Sequence, residues 1–152
     1  MAKFRYRLAT LLRLREAARD EKRAQLAEAY RAAEILAGHL RDVEQELAEL
    51  RVAAEATTKP GTVNIDSLLQ THRYELLLRA QKQMILGQQK QVAEEVDRRR
   101  LLLVEADRQV RVLEKLREHK LQEHQTREEN RDMRMMDELA SRARPHVGEA
   151  HS

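Results

Sequence analysis

Leu26, Ala29, Ala33, Leu36, Leu40, Val43, Leu47, Leu50 and Ala54 recur at alternating steps of three and four. That 3.5-residue period is the seam of a left-handed coiled coil, and the positions between are mostly charged or Gln. A helix with so narrow a stripe cannot bury it alone, so it needs a partner. The chain supplies one beyond residue 66. Leu78, Ile85, Val92, Val96, Leu103, Ala106, Val110 and Leu113 form a second seam, with polar residues filling some intervening steps.

The two seams fit each other. Facing residues of an antiparallel hairpin have numbers of roughly constant sum, and Val43 with Leu78, Leu36 with Ile85, Ala29 with Val92, Ala18 with Leu103 and Leu11 with Val110 all give 121. The turn then centres near Lys59-Pro60-Gly61. Pro removes a donor and clashes with the preceding helical turn, and Gly accepts unusual backbone angles. The expectation is an all-α fold, a long antiparallel two-helix coiled-coil hairpin with a protruding C-terminal helix. Helix 1 is expected over about 4–56, a tip loop over 57–65, helix 2 over about 66–144, and a disordered tail over 145–152 after Pro145. Asn64 is positioned to cap helix 2, with Asp66 in its first turn.

Composition supports this plan. One Phe, three Tyr, no Trp and 36% charged residues make a poor globular core, whereas a seam of Leu, Val and Ala needs none. Disorder competes for so polar a chain, but sustained heptads with only two Pro and four Gly oppose it away from the ends. With no Cys there is no disulfide framework or thiolate chemistry. No apolar run approaches the roughly 18 residues of a membrane span, and no signal-peptide core is visible, so a cytoplasmic protein is expected.

The net charge is only +3, but residues 1–23 hold eight Lys/Arg against three Asp/Glu. Arg98, Arg99 and Arg100 fall opposite Lys22 and Arg23 under the same register. Two readings stand: an ordinary solvated face with ion pairs, or a basic band for an acidic partner surface. Phe4, Tyr6, Leu8, Leu11, Leu12 and Leu14 give the start of helix 1 more apolar surface than one seam needs, either as a cap on the core or as a docking patch. Ala18, Lys22 and Leu26 step by four and four, which reads as a four-residue insertion in the heptad. Phe4 is expected opposite Arg117, leaving residues from about 119 to 143 without helix 1 beside them, and such a helix is marginal alone.

Nothing in the sequence reads as an active site. There is no Gly-rich phosphate loop, no nucleophile elbow, and no His spacing suited to a metal, since His119 and His124 are five apart. A two-helix hairpin encloses no cavity in which to dry a site. No catalytic residue, cofactor or metal is expected. Basic-zipper proteins carry a dense acid-free basic block, whereas Glu16, Asp20 and Glu21 interrupt this one, so nucleic acid is not an expected partner.

Both ends of the chain carry a resemblance. Phe4-Arg5-Tyr6-Arg7-Leu8-Ala9-Thr10-Leu11-Leu12-Arg13-Leu14-Arg15-Glu16 resembles the opening of FliJ-family flagellar export proteins. Glu114-Lys115-Leu116-Arg117-Glu118, Glu129-Asn130-Arg131 and Met136-Asp137-Glu138-Leu139-Ala140-Ser141-Arg142-Ala143 are similar to the family's C-terminal region. The resemblance implies a non-enzymatic component of the bacterial flagellar type III export apparatus, a stalk that binds within the export ATPase ring and promotes its assembly. It further implies contacts with the export gate membrane protein and with export chaperones. It places the protein in the cytoplasm, peripheral at the inner membrane through partners at the flagellar base. For the ATPase it points to Arg13, Arg15 and Glu16 on helix 1, and to Arg117, Arg131, Met136, Asp137 and Glu138 on helix 2. Counting back from Met136-Asp137-Glu138 places the gate contact at Tyr74, Leu78 and Ile85; the latter two are also seam residues, so Tyr74 alone stands as a surface candidate.

Overall fold

The computed structural model describes residues 2–57 and 64–144 and shows an all-α chain of two long helices, α1 (Ala9–Thr57) and α2 (Ile65–Ala143), packed as a hairpin. The turn expected at Lys59-Pro60-Gly61 and the tail expected over 145–152 lie outside the described residues. The packing divides into two compact units, one spanning residues 18–106 and the other combining residues 1–17 with 107–152.

In the 18–106 unit the seam follows the heptads. All nine α1 positions from Leu26 to Ala54 are buried or half-buried, with Ala29 and Val43 deepest. On α2, Leu78 and Val96 are buried, and Ile85, Val92, Leu103 and Ala106 are half-buried. Thr71, Glu75, Lys82, Gln89 and Arg99 are also half-buried and complete the alternation of four and three between them. Long polar side chains suit such positions because their stems cover the seam while their heads reach its edge. Arg99 shows this: its Nη1 donates to the Gln25 carbonyl at 2.6 Å while its Nε pairs with Glu95 at 2.7 Å. Lys82 reaches Glu44 at 3.5 Å. Asn64 caps α2, its Oδ1 accepting from the Asp66 amide at 3.2 Å.

One expectation changes in this unit. Ala18 is exposed and Arg19 is half-buried in its place, while Lys22 is half-buried as the seam reading has it, so the stripe runs Arg19, Lys22, Leu26, Ala29 at steps of three, four and three. The heptad therefore continues without the four-residue insertion. The stem of Arg19 holds a seam position that a count of apolar residues overlooks. The arginine band is also internally paired: Arg98 with Glu95, Arg99 with Glu95 and Glu28, Arg100 with the Tyr30 hydroxyl, and Arg19 and Arg23 with Asp20. This pairing suits the reading of a solvated face with ion pairs.

In the other unit Leu12 and Val110 form the buried centre. Helix α1 begins at Ala9, five residues later than the periodicity suggests. Leu8 occupies the cap position, its carbonyl accepting from the Leu12 amide at 2.8 Å, but its side chain offers no acceptor. Residues 2–8 leave the helix and lie along α2. Phe4, Tyr6 and Leu8 are half-buried while Lys3, Arg5 and Arg7 are exposed, the alternation of an extended chain. The Tyr6 hydroxyl donates to the Leu113 carbonyl at 3.0 Å, the Phe4 ring lies 5.6 Å from His124, and His124 Nε2 is 3.1 Å from the Ala2 carbonyl. Phe4 thus meets His124, seven residues beyond the expected Arg117. The shift follows from a backbone that is no longer helical. Residues 7–8 form a turn, with the Ala9 amide donating to the Tyr6 carbonyl at 3.2 Å. The residues before it can advance up to about 3.3 Å each, against about 1.5 Å in a helix. That carries Phe4 past Arg117 to His124. Beyond this strap α2 stays helical to Ala143, and residues 129–144 are all exposed.

Candidate partner-binding surfaces

The residues marked by the sequence for the ATPase all fall in the 1–17/107–152 unit. Arg13, Arg15 and Arg117 are exposed and Glu16 is half-buried. Arg15 Nη1 donates to Gln109 Oε1 at 2.9 Å, which ties α1 to α2 just below the buried Leu12 and Val110. Further along α2, Arg131 lies 3.6 Å from Glu128, while Met136, Asp137 and Glu138 are exposed. Met136 is 69% exposed, and Met133 and Met135 beside it are also open. Unbranched thioethers repack readily, which suits a contact surface that must adapt.

Tyr74 sits in the 18–106 unit, half of it open, and its hydroxyl donates to Glu46 Oε2 at 2.7 Å across the hairpin. The hydrogen bond and the negative charge of Glu46 raise the Tyr74 pKa above the ordinary tyrosine value. A raised folded-state pKa means the contribution to stability is complete below the unfolded value, about 10, and is lost as pH rises through the folded one. Thermal melts from pH 9 to 12 should show wild type losing stability more steeply than Tyr74→Phe above pH 10. Parallel curves would show that the bond does not survive in solution.

Sequence reasoning missed a second face on the same helix. Leu76 and Leu77 are 52% and 55% exposed, beside Leu78 at 2%. Two residues along an α-helix rotate a side chain by about 200°, so Leu76 points away from the seam that holds Leu78. Leu69, Leu76, Leu77, Ala80 and Met84 share this outward face, and all are exposed. The signal is visible in the sequence as a second stripe at steps of seven, one, three and four. Ile65 and Leu68 extend the exposed apolar surface toward the start of α2.

Among the described residues no cluster of three His, Asp or Glu is placed to hold a metal ion, and no helix is long and apolar enough to cross a membrane. Among the described residues no buried side-chain polar atom is left without a partner. These features define the class as a helical-hairpin coiled coil whose unspent surface is apolar or charged and open to partners. The family described as Flagellar FliJ protein matches residues 4–146, so the chain belongs to the FliJ family of flagellar export proteins. No curated protein and no solved structure matches the chain. The family is a non-enzymatic, flagellar export-associated one.

Proposed function

We propose that this protein is a coiled-coil adaptor of the flagellar type III export apparatus that binds the export ATPase ring, promotes its assembly and couples it to the export gate. The observation that carries the reading is the family match over nearly the whole chain. Two open surfaces support it. The ATPase contact is assigned to the unit bearing Arg13, Arg15, Glu16 and Arg117, and to the exposed end of α2 at Arg131, Met136, Asp137 and Glu138. The gate contact is assigned to the outward face of Leu69, Leu76, Leu77 and Met84, since Leu78 is spent in the core and Ile85 is half-buried there. Tyr74 marks the edge of the same stretch. Export chaperones are further partners under this reading, and the protein sits on the cytoplasmic side of the inner membrane at the flagellar base, held there by its partners.

Assembly gives a direct test. Sedimentation of the flagellar export ATPase from the same genome should shift from monomer toward ring-sized species when this protein is added. An unchanged distribution at saturating protein contradicts the assembly role.

A further inference from the structure

The strap of residues 3–8 and α2 enclose a groove of about 600 Å³ that neither the ATPase nor the gate reading uses. Its lining contains Lys3, Arg5, Arg7, Lys120 and Arg127, with His124, and no acidic residue. Phe4, Tyr6, Leu8 and Leu116 supply apolar wall between the cations. Lys120 and Arg127 both turn to one carboxylate, Glu123, at 3.3 and 3.8 Å. Lys3, Arg5 and Arg7 have no ion-pair partner among the described residues. Positive charge here is therefore in excess and unspent, unlike the paired arginine band at Arg98–Arg100.

The backbone adds a second element. Residues 3–6 carry no helix or turn, and among the described residues none of their amides donates to a backbone carbonyl. Residues 7–8 turn the chain into α1, the Ala9 amide donating to the Tyr6 carbonyl at 3.2 Å. An extended chain with free donors accepts another extended chain alongside it, main chain to main chain, while pockets select alternate side chains. Cations spaced every second residue along the strap match carboxylates spaced every second residue along a ligand.

We infer that this groove is a docking site for a short, extended acidic peptide segment of a partner protein, with carboxylates alternating with apolar or aromatic side chains. Carboxylates engage Lys3, Arg5, Arg7 and the Lys120–Arg127 pair, and the intervening apolar side chains rest against Phe4 and Leu116. Partner charge raises the rate of encounter, and the apolar wall supplies selectivity.

The test uses the full-length protein and a fluorescein-labelled peptide, Glu-Phe-Glu-Leu-Glu-Phe-Glu, followed by fluorescence anisotropy at low and high salt. The expected result is saturable binding that weakens at least tenfold in a Lys3→Ala/Arg5→Ala/Arg7→Ala variant. A second variant, Lys120→Ala/Arg127→Ala, should weaken it too, with the strap sequence intact. A control with the same charge removed from the other unit, Arg41→Ala/Arg51→Ala/Lys90→Ala, should bind as wild type. Equal loss in the control, or no binding by wild type, overturns the site. Tighter binding of a single-stranded oligonucleotide of equal charge would assign the groove to nucleic acid and overturn the peptide reading. Neither ATPase nor gate enters this experiment, so its failure leaves the proposed function standing.

Discussion

Leu78→Ala should destabilise the protein by about 2–5 kcal/mol, whereas Leu77→Ala should change its stability by no more than about 0.5 kcal/mol. The two leucines are neighbours in sequence and differ only in which way the helix turns them. Leu78 is 2% exposed and sits in the narrow interface of the 18–106 unit, so truncation removes buried methyl groups and leaves a hole. A two-helix seam has few such residues: Leu12, Ala29, Val43, Leu78, Val96 and Val110 are its buried apolar side chains among the described residues. Losing one of them removes a large share of what holds the hairpin. Chemical denaturation followed by circular dichroism measures both variants. Equal effects at the two positions would place the seam elsewhere.

The second large effect is expected in binding. Leu76→Glu/Leu77→Glu should weaken binding to the soluble domain of the export gate by at least about tenfold, with a melting midpoint close to wild type. Each leucine still exposes about half its surface, and burying a whole leucine side chain is worth about 1.5–3 kcal/mol. Covering the remaining halves of both therefore amounts to about 1.5–3 kcal/mol, and about 1.4 kcal/mol is tenfold in affinity. Carboxylates at these positions would also have to be desolvated on docking, adding to the loss. Calorimetric titration of wild type and variant against that domain decides it. Unchanged affinity in a folded variant removes this face from the gate contact.

Much of the fold was legible because heptads are local and strong. Leu26 to Ala54 declared a seam, and the second seam agreed with it in register. Three cross-helix contacts keep that register: Tyr74 with Glu46, Arg99 with Gln25 and Lys82 with Glu44 lie within about five residues of the expected pairing, while the long Arg100 side chain reaches further, to Tyr30. What the reading lost lay where apolar residues do not mark the structure. Arg19 occupies the seam with its stem, so counting apolar positions passed through Ala18 instead. The strap was lost for a different reason. Lys3-Phe4-Arg5-Tyr6-Arg7-Leu8 alternates with a period of two, the signature of an extended chain, but it adjoins Leu11, Leu12 and Leu14 and so merged into the helix. Of the surplus apolar residues there, Phe4, Tyr6, Leu8 and Leu12 cover the core, while Leu11 and Leu14 remain open.

The surfaces were less legible than the fold. A seam has an internal check, because its partner is in the same chain. A docking face has none until its partner is known. Leu76, Leu77 and Leu78 read as one apolar run, and only the rotation of the helix separates the outward two from the buried one. The residues marked for the ATPase are charged and mostly exposed, like many others in this chain, so exposure alone does not single them out.

Capture of the flagellar export ATPase from the same genome, by full-length protein and by a 1–118 truncation whose helicity and melting are checked, tests the central claim most directly. The account predicts capture by the full-length protein and weaker capture by the truncation, which keeps Arg13, Arg15, Glu16 and Arg117 but lacks Arg131, Met136, Asp137 and Glu138. Failure of the full-length, folded protein to capture the ATPase would contradict it.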